Sequence, residues 1–394
     1  MKVPLLDLKP QNNALLPELR AAFERVFSSS QFILGPEVQN FEERCATIAG
    51  VQYAIGVSSG TDAILLALMA LGVTAGDEVI CPSFTFFATA GSVARLGARP
   101  VFADCCPHCF CLDVADVRKR INPRTKAIIP VHLFGQMAPM DPLMALAREH
   151  GLYVIEDAAQ AFGASYSGHP AGSIGDCGTV SFFPSKNLGG FGDSGLFVTN
   201  GSALAVKARL LRTHGAEQKY FHKMVGANFR IDALQAALLG VKLEHLEEYS
   251  NRRNENAAYY GSRLGTASGI METSERECCY GVYRDVSEDV RILLPRRRSE
   301  NKHIWNQYTL RVTGSKRDAF REFLQSHGIA TEIYYPQPMH KQECFQISGY
   351  TQPALPQCER LANECVSIPV HPDLTRTQQD YVIDTILQWK DIAR

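Results

Sequence analysis

Short apolar segments alternate with segments of helical periodicity from residue 53 to residue 211, and this alternation limits the possible folds more than any other feature. We predict strands over Tyr53–Val57, Glu78–Cys81, Pro100–Ala103, Ala127–Val131, Tyr153–Glu156, Thr179–Phe183 and Leu196–Thr199. We predict helices over Thr61–Leu71, Phe87–Leu96, Val114–Ile121, Met140–His150 and Ala203–Leu211. Apolar strands separated by amphipathic helices indicate an α/β fold, with a mostly parallel sheet covered by helices on both faces. Such sheets bind ligands at the carboxyl ends of their strands.

The last third of the chain has a different pattern. A long helical stretch from Ile231 to about Leu264 leads into a charged segment, Thr273–Lys302, which we expect to be exposed. The elements predicted beyond it are strands at Trp305–Val312 and Thr331–Tyr335 and helices at Lys316–His327, Leu355–Glu364 and Thr377–Lys390. This pattern predicts a large α/β domain over residues 1–245 and a smaller α+β domain over residues 246–394.

The overall charge is nearly neutral, with 40 Lys and Arg residues against 41 Asp and Glu residues. This balance gives no general electrostatic basis for binding nucleic acid or an anionic membrane. The longest apolar run, Ala63–Val73, is shorter than a membrane-spanning helix. Asp7, Lys9 and Pro10 stand where a secretory signal would have its apolar stretch. We therefore expect a soluble cytoplasmic protein with no nucleic-acid or membrane partner.

The sequence contains twelve cysteines, which we expect to be free thiols in a reducing compartment. The densest group is Cys105, Cys106, Cys109 and Cys111, with the C-x-x-C spacing that zinc sites use. Structural zinc sites usually pair two such motifs, and no second C-x-x-C follows at the expected distance. Cys278 and Cys279 are adjacent, which is a poor arrangement for joint chelation. We therefore expect no metal site.

Small or acidic residues follow two of the predicted strands. The strand that ends at Val57 runs into a helix through Ser58-Ser59-Gly60-Thr61. Backbone N–H groups at a helix N-terminus can bind a phosphate, although a serine there can equally serve as an N-cap. Asp157 follows the strand that ends at Glu156. A carboxylate in this place can cap a helix, bind a metal or pair with a protonated ring nitrogen.

Lys186 lies in a short loop after another predicted strand, between Phe183-Pro184-Ser185 and Asn187. Most lysines are surface charges, but one that loses solvation has a lowered pKa and can act as a nucleophile. The segment Gly190–Gly195 then matches G-x-G-x-x-G, the fingerprint of dinucleotide-binding proteins. It leads into a strand instead of a helix, which argues against a dinucleotide site.

Taken together, these blocks resemble the DegT/StrS-type nucleotide-sugar aminotransferases. These are pyridoxal-phosphate (PLP) enzymes of fold type I, the aspartate-aminotransferase fold. The resemblance extends from Pro4–Leu8 to Ile368–Pro372 and leaves out Thr273–Lys302. The blocks that carry it are Ser58–Thr61, Pro82–Phe86, Glu156–Gln160, Ser181–Lys186, Gly226–Arg230 and Tyr334–His340.

The resemblance implies a role for each matching residue. Lys186 would bond covalently to PLP and, once released, would move a proton between the substrate carbon and the cofactor. Asp157 would keep the pyridine nitrogen protonated, so that the ring can accept electrons. The other implied cofactor contacts are Phe86 on the ring face, Gln160 by the ring hydroxyl, Gly60, Thr61 and Ser181 at the phosphate, and Asn228 from a partner subunit. A site shared in this way implies an obligate homodimer.

The implied reaction moves an amino group from glutamate, by way of PLP and its amine form PMP, onto a keto sugar carried on a nucleotide diphosphate. We expect sugar contacts at His303, Tyr308 and His340. One alternative is a PMP-dependent nucleotide-sugar dehydratase of the same fold, but such relatives have histidine in place of the reactive lysine. A second alternative is a catalytically silent regulatory relative, against which the intact pair of Asp157 and Lys186 argues.

The sequence departs from the family pattern at two places. Ser194 stands where relatives often have a second glycine before Gly195, and a serine would be strained there if the position requires a positive φ. Cys106-Pro107-His108-Cys109 stands where relatives usually have ordinary polar residues. We expect these cysteines to be substitutions in a loop.

Overall fold

The computed structural model describes residues 1–273, 279, 283, 289–346 and 354–392. Its helices are α1 Lys9–Ala14, α2 Leu16–Ser29, α3 Pro36–Ala49, α4 Gly60–Ala70, α5 Phe87–Arg95, α6 Val114–Arg120, α7 Met140–His150, α8 Ser202–Arg212, α9 Ala233–Leu243, α10 Leu246–Leu264, α11 Arg317–Ser326, α12 Pro356–Glu364 and α13 Arg376–Ile392. Its strands are β1 Tyr53–Val57, β2 Glu78–Pro82, β3 Arg99–Ala103, β4 Thr125–Ile128, β5 Tyr153–Asp157, β6 Ser165–Tyr166, β7 His169–Pro170, β8 Cys177–Ser181, β9 Gly195–Thr199, β10 Ala216–Gln218, β11 Phe221–His222, β12 Ile270–Glu272, β13 Ile292–Leu294, β14 Asn301–Lys302, β15 Tyr308–Val312 and β16 Cys365–Ile368. No helix within these ranges is both long and apolar enough to cross a bilayer.

The largest sheet has seven strands in the order β1-β9-β8-β5-β4-β2-β3. Neighbouring strands from β8 to β3 are parallel, whereas β9 is antiparallel to both β1 and β8. All seven strands overlap strands that we predicted, and their ends differ by a few residues. The mostly parallel sheet is therefore confirmed.

Helices cover both faces of this sheet, because successive residues of its strands enter opposite cores. Ile80 of β2 and Ile128 of β4 pack in one core with residues of α2, α3, α7 and α9. Val79 and Ala127, one position earlier in each strand, pack in a second core with residues of α4, α5 and α8. The near-continuous apolar character of the strands follows from this double burial.

The sheet order brings three of the sequence motifs to one edge. Because β9 is antiparallel to both β1 and β8, these two strands run in the same direction, as does β5. Ser59 follows β1, Asp157 ends β5, and Lys186 follows β8. Residues about 100 positions apart in the sequence therefore meet at the carboxyl edge, where α/β sheets bind ligands.

The smaller sheet has the order β12-β13-β15-β16 and packs with α10, α11 and α13. This agrees with the α+β character that we predicted for the C-terminal part. Val3 belongs to the same core, and its N–H group donates to the Gly328 carbonyl at 2.9 Å. The Ala330 N–H group donates to the Val3 carbonyl, also at 2.9 Å. The first residues, which we assigned to the large domain, thus pack with the smaller sheet, and the boundary at residue 245 stays a prediction.

The strand predicted at Thr331–Tyr335 is wrong. Only Glu332 pairs there, in a single antiparallel bridge with Ser367. Pro336 follows directly and has no N–H group with which to extend a ladder.

The expected exposure of Thr273–Lys302 is also wrong for part of that segment. Ile292–Leu294 forms the buried strand β13, and Arg298 is buried as well. Residues 274–278, 280–282 and 284–288 of this segment lie outside the described residues.

Ser194 is buried but does not have a positive φ, so the strain that we considered for a serine there does not arise. The G-x-G-x-x-G segment that ends at Gly195 leads into β9, a strand, as predicted. The context that argued against a dinucleotide site is therefore present in the fold.

Candidate active site

A cavity of about 400 Å³ lies at the carboxyl edge of the large sheet. Seven of the eight predicted cofactor residues line it: Gly60, Thr61, Phe86, Asp157, Gln160, Ser181 and Lys186. These residues lie at four junctions where a strand gives way to a helix or a loop, at the ends of β1, β2, β5 and β8. The fold therefore converts separate, individually weak sequence signals into one site.

The N-terminus of α4 forms an anion cradle on one side of the cavity. Ser59 is its N-cap, and the Ser59 Oγ accepts a hydrogen bond from the Asp62 N–H group at 3.0 Å. A Cβ atom on Gly60 would lie 2.7 Å from Ser181 Cβ, so only glycine allows the helix to start this close to β8. The first N–H groups of a helix have no intrahelical acceptor and lie at the positive end of its dipole. Capping and anion binding, which the sequence left open as alternatives, are thus compatible here.

Asp157 occupies the floor of the cavity and is buried. Thr89 Oγ1 donates to Asp157 Oδ2 at 2.8 Å, and the Ala159 N–H group donates to Oδ1 at 3.2 Å. Burial raises the pKa of this carboxyl group, while the two hydrogen bonds and the charge of Lys186 act in the opposite direction. The carboxylate is held in a fixed orientation in which it can meet a protonated nitrogen.

The neighbouring carboxylate, Glu156, has a structural role. Its Oε1 accepts hydrogen bonds from the N–H groups of Ile174 and Gly175, both at 2.7 Å. Its Oε2 accepts one from Gly172 at 3.0 Å and lies 2.9 Å from His132 Nε2. Every oxygen of Glu156 therefore has a partner, and Asp157 is the member of this acidic pair that lines the cavity.

Lys186 lines the same cavity and is half-buried there. Burial lowers the pKa of its amine to about 8, and the carboxylate of Asp157 partly offsets this effect. The loop is closed by a hydrogen bond from the Lys186 N–H group to the Phe183 carbonyl at 2.9 Å. The lowered pKa that we predicted from the surroundings of this lysine agrees with the structure.

Lys242 provides a contrast, because burial lowers the pKa of its amine to about 8 as well. Its Nζ donates to the Gly189 carbonyl at 2.5 Å, and it does not line the cavity. A lowered pKa alone therefore does not single out a candidate reactive lysine; Lys186 is distinguished by lining the cavity together with Asp157.

Two further side chains fit a flat heterocycle with a phosphate and a ring hydroxyl. Phe86 is 59% exposed although it lines the cavity, so its ring face is free to stack. Gln160 Nε2 donates to the Tyr335 hydroxyl at 3.1 Å, while the buried Gln160 Oε1 has no hydrogen-bond partner among the described residues. An unsatisfied buried oxygen needs a donor, which a ring hydroxyl would supply.

The three residues predicted to contact the sugar do not line this cavity, and their contact with a sugar stays a prediction. His303 stacks on Trp305 with ring centroids 3.8 Å apart, and burial lowers its pKa to about 3. Tyr308 is buried in β15 between the rings of Tyr260 and Trp305. His340 Nδ1 lies 2.6 Å from Ser83 Oγ, and its Nε2 lies 3.1 Å from a Glu359 oxygen. Each of the three has structural partners and none lines the cavity.

Gln307, Tyr334 and Tyr335 line the cavity instead, and the sequence analysis missed them. Tyr334 and Tyr335 belong to the family block Tyr334–His340, from which we predicted only His340 as a sugar contact. Gln307 immediately precedes Tyr308, the residue that we predicted. Successive side chains of a strand point to opposite faces, so Gln307 and Tyr308 were expected to face in opposite directions. The sequence does not show which of these faces is directed toward the ligand.

Asn228, the eighth predicted cofactor residue, is exposed and does not line the cavity of its own chain. It pairs in a single bridge with Thr213, beside the exposed β10–β11 hairpin. The expected contribution of Asn228 to the site of a partner subunit is not tested by a single chain and stays a prediction.

A cavity that combines an anion cradle, an oriented carboxylate and a desolvated lysine suits one cofactor in particular, because PLP has a phosphate, a basic ring nitrogen and an amine-reactive aldehyde. The sheet order and this cavity place the protein among the fold-type I PLP-dependent enzymes. The chain belongs to the DegT/DnrJ/EryC1/StrS aminotransferase family, which it matches over residues 14–387. The resemblance derived from the sequence blocks is confirmed.

Two relatives illustrate the range of names in this family. The chain is 44% identical to a pleiotropic regulatory protein of Geobacillus stearothermophilus, and the alignment covers 99% of each chain. It is 39% identical to a dTDP-3-amino-3,4,6-trideoxy-alpha-D-glucose transaminase of Streptomyces venezuelae, over 99% of this chain and 97% of the relative.

Solved structures of the same architecture agree with the fold. S. venezuelae DesV, solved in complex with a ketimine intermediate, superposes with a TM-score of 0.90 at 39% identity and 99% coverage of both chains. NtdA of Bacillus subtilis, solved with bound cofactor PMP, superposes with a TM-score of 0.88 at 29% identity, over 99% of this chain and 85% of NtdA. Both the fold class and the cofactor class expected from the sequence are thereby confirmed.

Proposed function

We propose that this chain transfers an amino group from glutamate to the keto group of a sugar carried on a nucleotide diphosphate, with PLP as its cofactor. The observation that carries the proposal is that Lys186 and Asp157 line one cavity together with the Gly60–Ser181 cradle. The names of relatives support the substrate class, since one 39% identical over nearly the full chain is a dTDP-amino-sugar transaminase.

In this proposal, the residues around the cavity hold the cofactor by its distinct groups. The N–H groups of Gly60 and Thr61, with Ser181, bind the phosphate, and Asp157 pairs with the ring nitrogen. Phe86 stacks on the ring, and Gln160 Oε1 accepts the hydrogen bond of the ring hydroxyl. Bound there, PLP supplies an aldehyde that accepts amino groups and a ring that accepts electrons.

Lys186 is proposed to handle the proton. With a pKa of about 8, its Nζ is neutral in a substantial fraction of molecules near neutral pH. A neutral Nζ above the substrate carbon can accept a proton from it and return the proton to a neighbouring atom. Asp157 would support this step by keeping a positive charge on the pyridine nitrogen of the cofactor. Thr89 fixes the carboxylate for that purpose.

The sugar is proposed to enter past Gln307, Tyr334 and Tyr335. These side chains bring an amide and two hydroxyl groups to the lining of the cavity. Such groups suit the hydroxyls of a sugar, and they replace His303, Tyr308 and His340 in our assignment.

The alternatives are less well supported. A dehydratase of this fold has histidine where this chain has Lys186. A silent regulatory protein would be compatible with the name of the Geobacillus stearothermophilus relative. However, nothing in such a role requires a lysine of lowered pKa beside an oriented carboxylate.

The test is a direct assay of the PLP-loaded full chain. Glutamate alone should change the visible absorption of the protein, and glutamate with a panel of nucleotide-linked keto sugars should give a product with the mass of the amino sugar. Lys186→Ala should abolish both effects, whereas Lys119→Ala, an exposed lysine on α6, should leave them unchanged. No spectral change and no product across the panel would favour the silent relative and overturn the proposal.

We also propose that the enzyme is a homodimer with shared active sites. Near Asn228, the side chains of Tyr220, Phe221 and Val225 are 70–87% exposed, which is costly for apolar groups unless another chain covers them. Light scattering should give twice the chain mass, and Asn228→Ala should weaken PLP binding without dissociating the dimer. A monomer that is fully active would contradict this assignment.

A cytoplasmic location is part of the proposal. The described cysteines are free thiols, and all but Cys344 are buried. Free thiols in this number persist in a reducing compartment. Cell fractionation that recovered the protein outside the cytoplasm would contradict this location.

A further inference from the structure

Three thiols from two distant parts of the sequence meet in the interior, and none of them lines the cavity. The sulfur atoms of Cys106, Cys109 and Cys279 all lie within 4.8 Å of one another, and all three residues are buried. The Cys109 and Cys279 sulfurs are 3.1 Å apart, across a sequence separation of 170 residues. The partner that the C-x-x-C motif lacked in the sequence is therefore supplied by the fold.

The loop that carries Cys106 and Cys109 is shaped as a tight turn. The Cys106 N–H group donates to the Cys111 carbonyl at 2.8 Å, and the Phe110 N–H group donates to the Cys106 carbonyl at 2.9 Å. The His108 N–H group donates to the Cys106 sulfur at 3.4 Å. A backbone N–H directed at sulfur stabilises a thiolate, as hydrogen bonds around metal-bound ligands do.

The surroundings also carry a positive charge. Arg298 is buried, and its Nη1 lies 3.7 Å from the Cys279 sulfur, while its other terminal nitrogen pairs with Glu300. A cation beside a thiol favours the thiolate form. Cysteines that only fill space in a core would need neither the charge of Arg298 nor the hydrogen bond from the His108 N–H group to the Cys106 sulfur.

The two parts of the cluster lie far apart in the sequence. Cys106 and Cys109 belong to the loop after β3, and Cys279 lies 170 residues beyond Cys109. The fold brings the three sulfur atoms together although the sequence spacing does not predict it. We expected these cysteines to be substitutions in a loop, whereas their convergence on one point favours a shared role.

We propose that Cys106, Cys109 and Cys279 bind a zinc ion in a closed structural site. Zinc prefers four thiolate or imidazole ligands in a tetrahedron, and sulfurs within 4.8 Å of one another can close on one ion with small shifts. Cys111 hydrogen bonds with the Cys109 side chain but lies outside the group of three, so its sulfur would have to move toward the ion to become the fourth ligand. Each binding thiol loses its proton to solvent, so zinc uptake releases protons.

The role of the ion would be to fasten residue 279 to the loop after β3. That loop is also held from the smaller sheet, since Arg311 Nη1 of β15 donates to the Pro107 carbonyl at 2.8 Å. The site has no side chain in common with the cavity that Lys186 lines. The proposal therefore stands independently of the proposed reaction.

The first test is metal analysis of the full chain, purified with a reductant and without chelators. We expect about one zinc per chain. Cys279→Ala and Cys109→Ala should lower the zinc content to background, whereas Cys45→Ala should retain it, because Cys45 is a buried thiol in α3 outside the cluster. Metal that persists in both cluster variants would be adventitious and would overturn the assignment, as would iron in place of zinc.

A second measurement on the unmodified chain covers the case in which the variants fail to fold. Metal removal followed by addition of Co²⁺ should give the sulfur-to-cobalt charge-transfer absorption of a thiolate site, which zinc should then displace. An unchanged spectrum, or a Cys109–Cys279 disulfide found by mass spectrometry in reduced, zinc-supplemented protein, would refute the site. The PLP content of the same samples reports separately on the active site.

Discussion

Thr89 Oγ1 donates a 2.8 Å hydrogen bond to Oδ2 of Asp157, linking α5 to the end of β5. Burial raises the pKa of this carboxyl group, and the bond from Thr89 is the largest of the opposing influences. The hydroxyl thus favours the charged form of a buried acid and fixes its direction. The function of Asp157 therefore depends on a residue 68 positions earlier in the chain.

Thr89→Val should reduce turnover while leaving the cofactor bound. Losing one hydrogen bond to a charged group costs about 1.5–3 kcal/mol. Because the lost bond stabilises the charged form of Asp157, this cost corresponds to at least a tenfold loss of kcat. Steady-state kinetics with glutamate would measure the effect. Thr179→Val is the matched control, since the hydroxyl of this buried threonine donates to the Glu156 carbonyl instead. Equal losses in both variants would indicate a general packing defect.

Asp157→Asn should retain PLP but lose about a hundredfold or more in turnover, because an amide cannot hold the ring nitrogen protonated. Absorption spectroscopy would give the cofactor content and product mass the turnover. If the variant turned over at the normal rate, Asp157 would have no electrostatic role in the reaction.

The amine of Lys186 should titrate far below an ordinary lysine in cofactor-free protein. Its pKa is lowered from 10.5 to about 8, so the neutral, reactive form predominates above pH 8. The rate of labelling by an amine-reactive probe, followed by peptide mass spectrometry, should rise through pH 7 to 9 and then level off. In Asp157→Asn the midpoint should move lower, because the carboxylate raises the pKa of the amine. A midpoint near 10 would exclude the desolvated environment.

Gly60→Ala should weaken cofactor binding. The added Cβ would lie 2.7 Å from Ser181 Cβ and would push the start of α4 away from β8. We expect the dissociation constant of PLP to rise about tenfold or more, as for the loss of a charge-assisted hydrogen bond. Gly201→Ala is the control, since its added Cβ meets nothing nearer than 3.5 Å. Similar PLP affinity in the two variants would contradict the cradle.

Gln307→Ala should raise the KM for the sugar, whereas His340→Gln should chiefly lower the melting temperature. Gln307 lines the cavity, and loss of one hydrogen bond to substrate corresponds to roughly a tenfold change. His340 bridges Ser83 and Glu359 in the interior. A raised KM in the His340 variant with normal stability would restore our first assignment of that residue.

The positions of the strands along the chain and the residues at their ends could be predicted from the sequence because both depend on local patterns. Asp157 and Lys186 follow apolar runs, and the carboxyl-edge rule then brings them together without further information. The same logic failed for Thr331–Tyr335, where the pattern of alternation is present but Pro336 ends the pairing.

Contacts between distant segments could not be predicted in this way. The sequence placed His340 in a family block but did not indicate its contacts with Ser83 and Glu359, which come from other parts of the chain. The approach of Cys279 to Cys109 joins residues 170 positions apart in the sequence. Neither spacing nor periodicity contains that information.

The pairing of Val3 with Gly328 and Ala330 has a practical consequence for dissecting the protein. A fragment that began at residue 246 would lack Val3, the partner of the Gly328 carbonyl and the Ala330 N–H group. Ile329 would lose its parallel bridge with Val3 as well. The smaller unit is therefore discontinuous in the gene. Excising it intact would require grafting the first few residues onto it through an added linker.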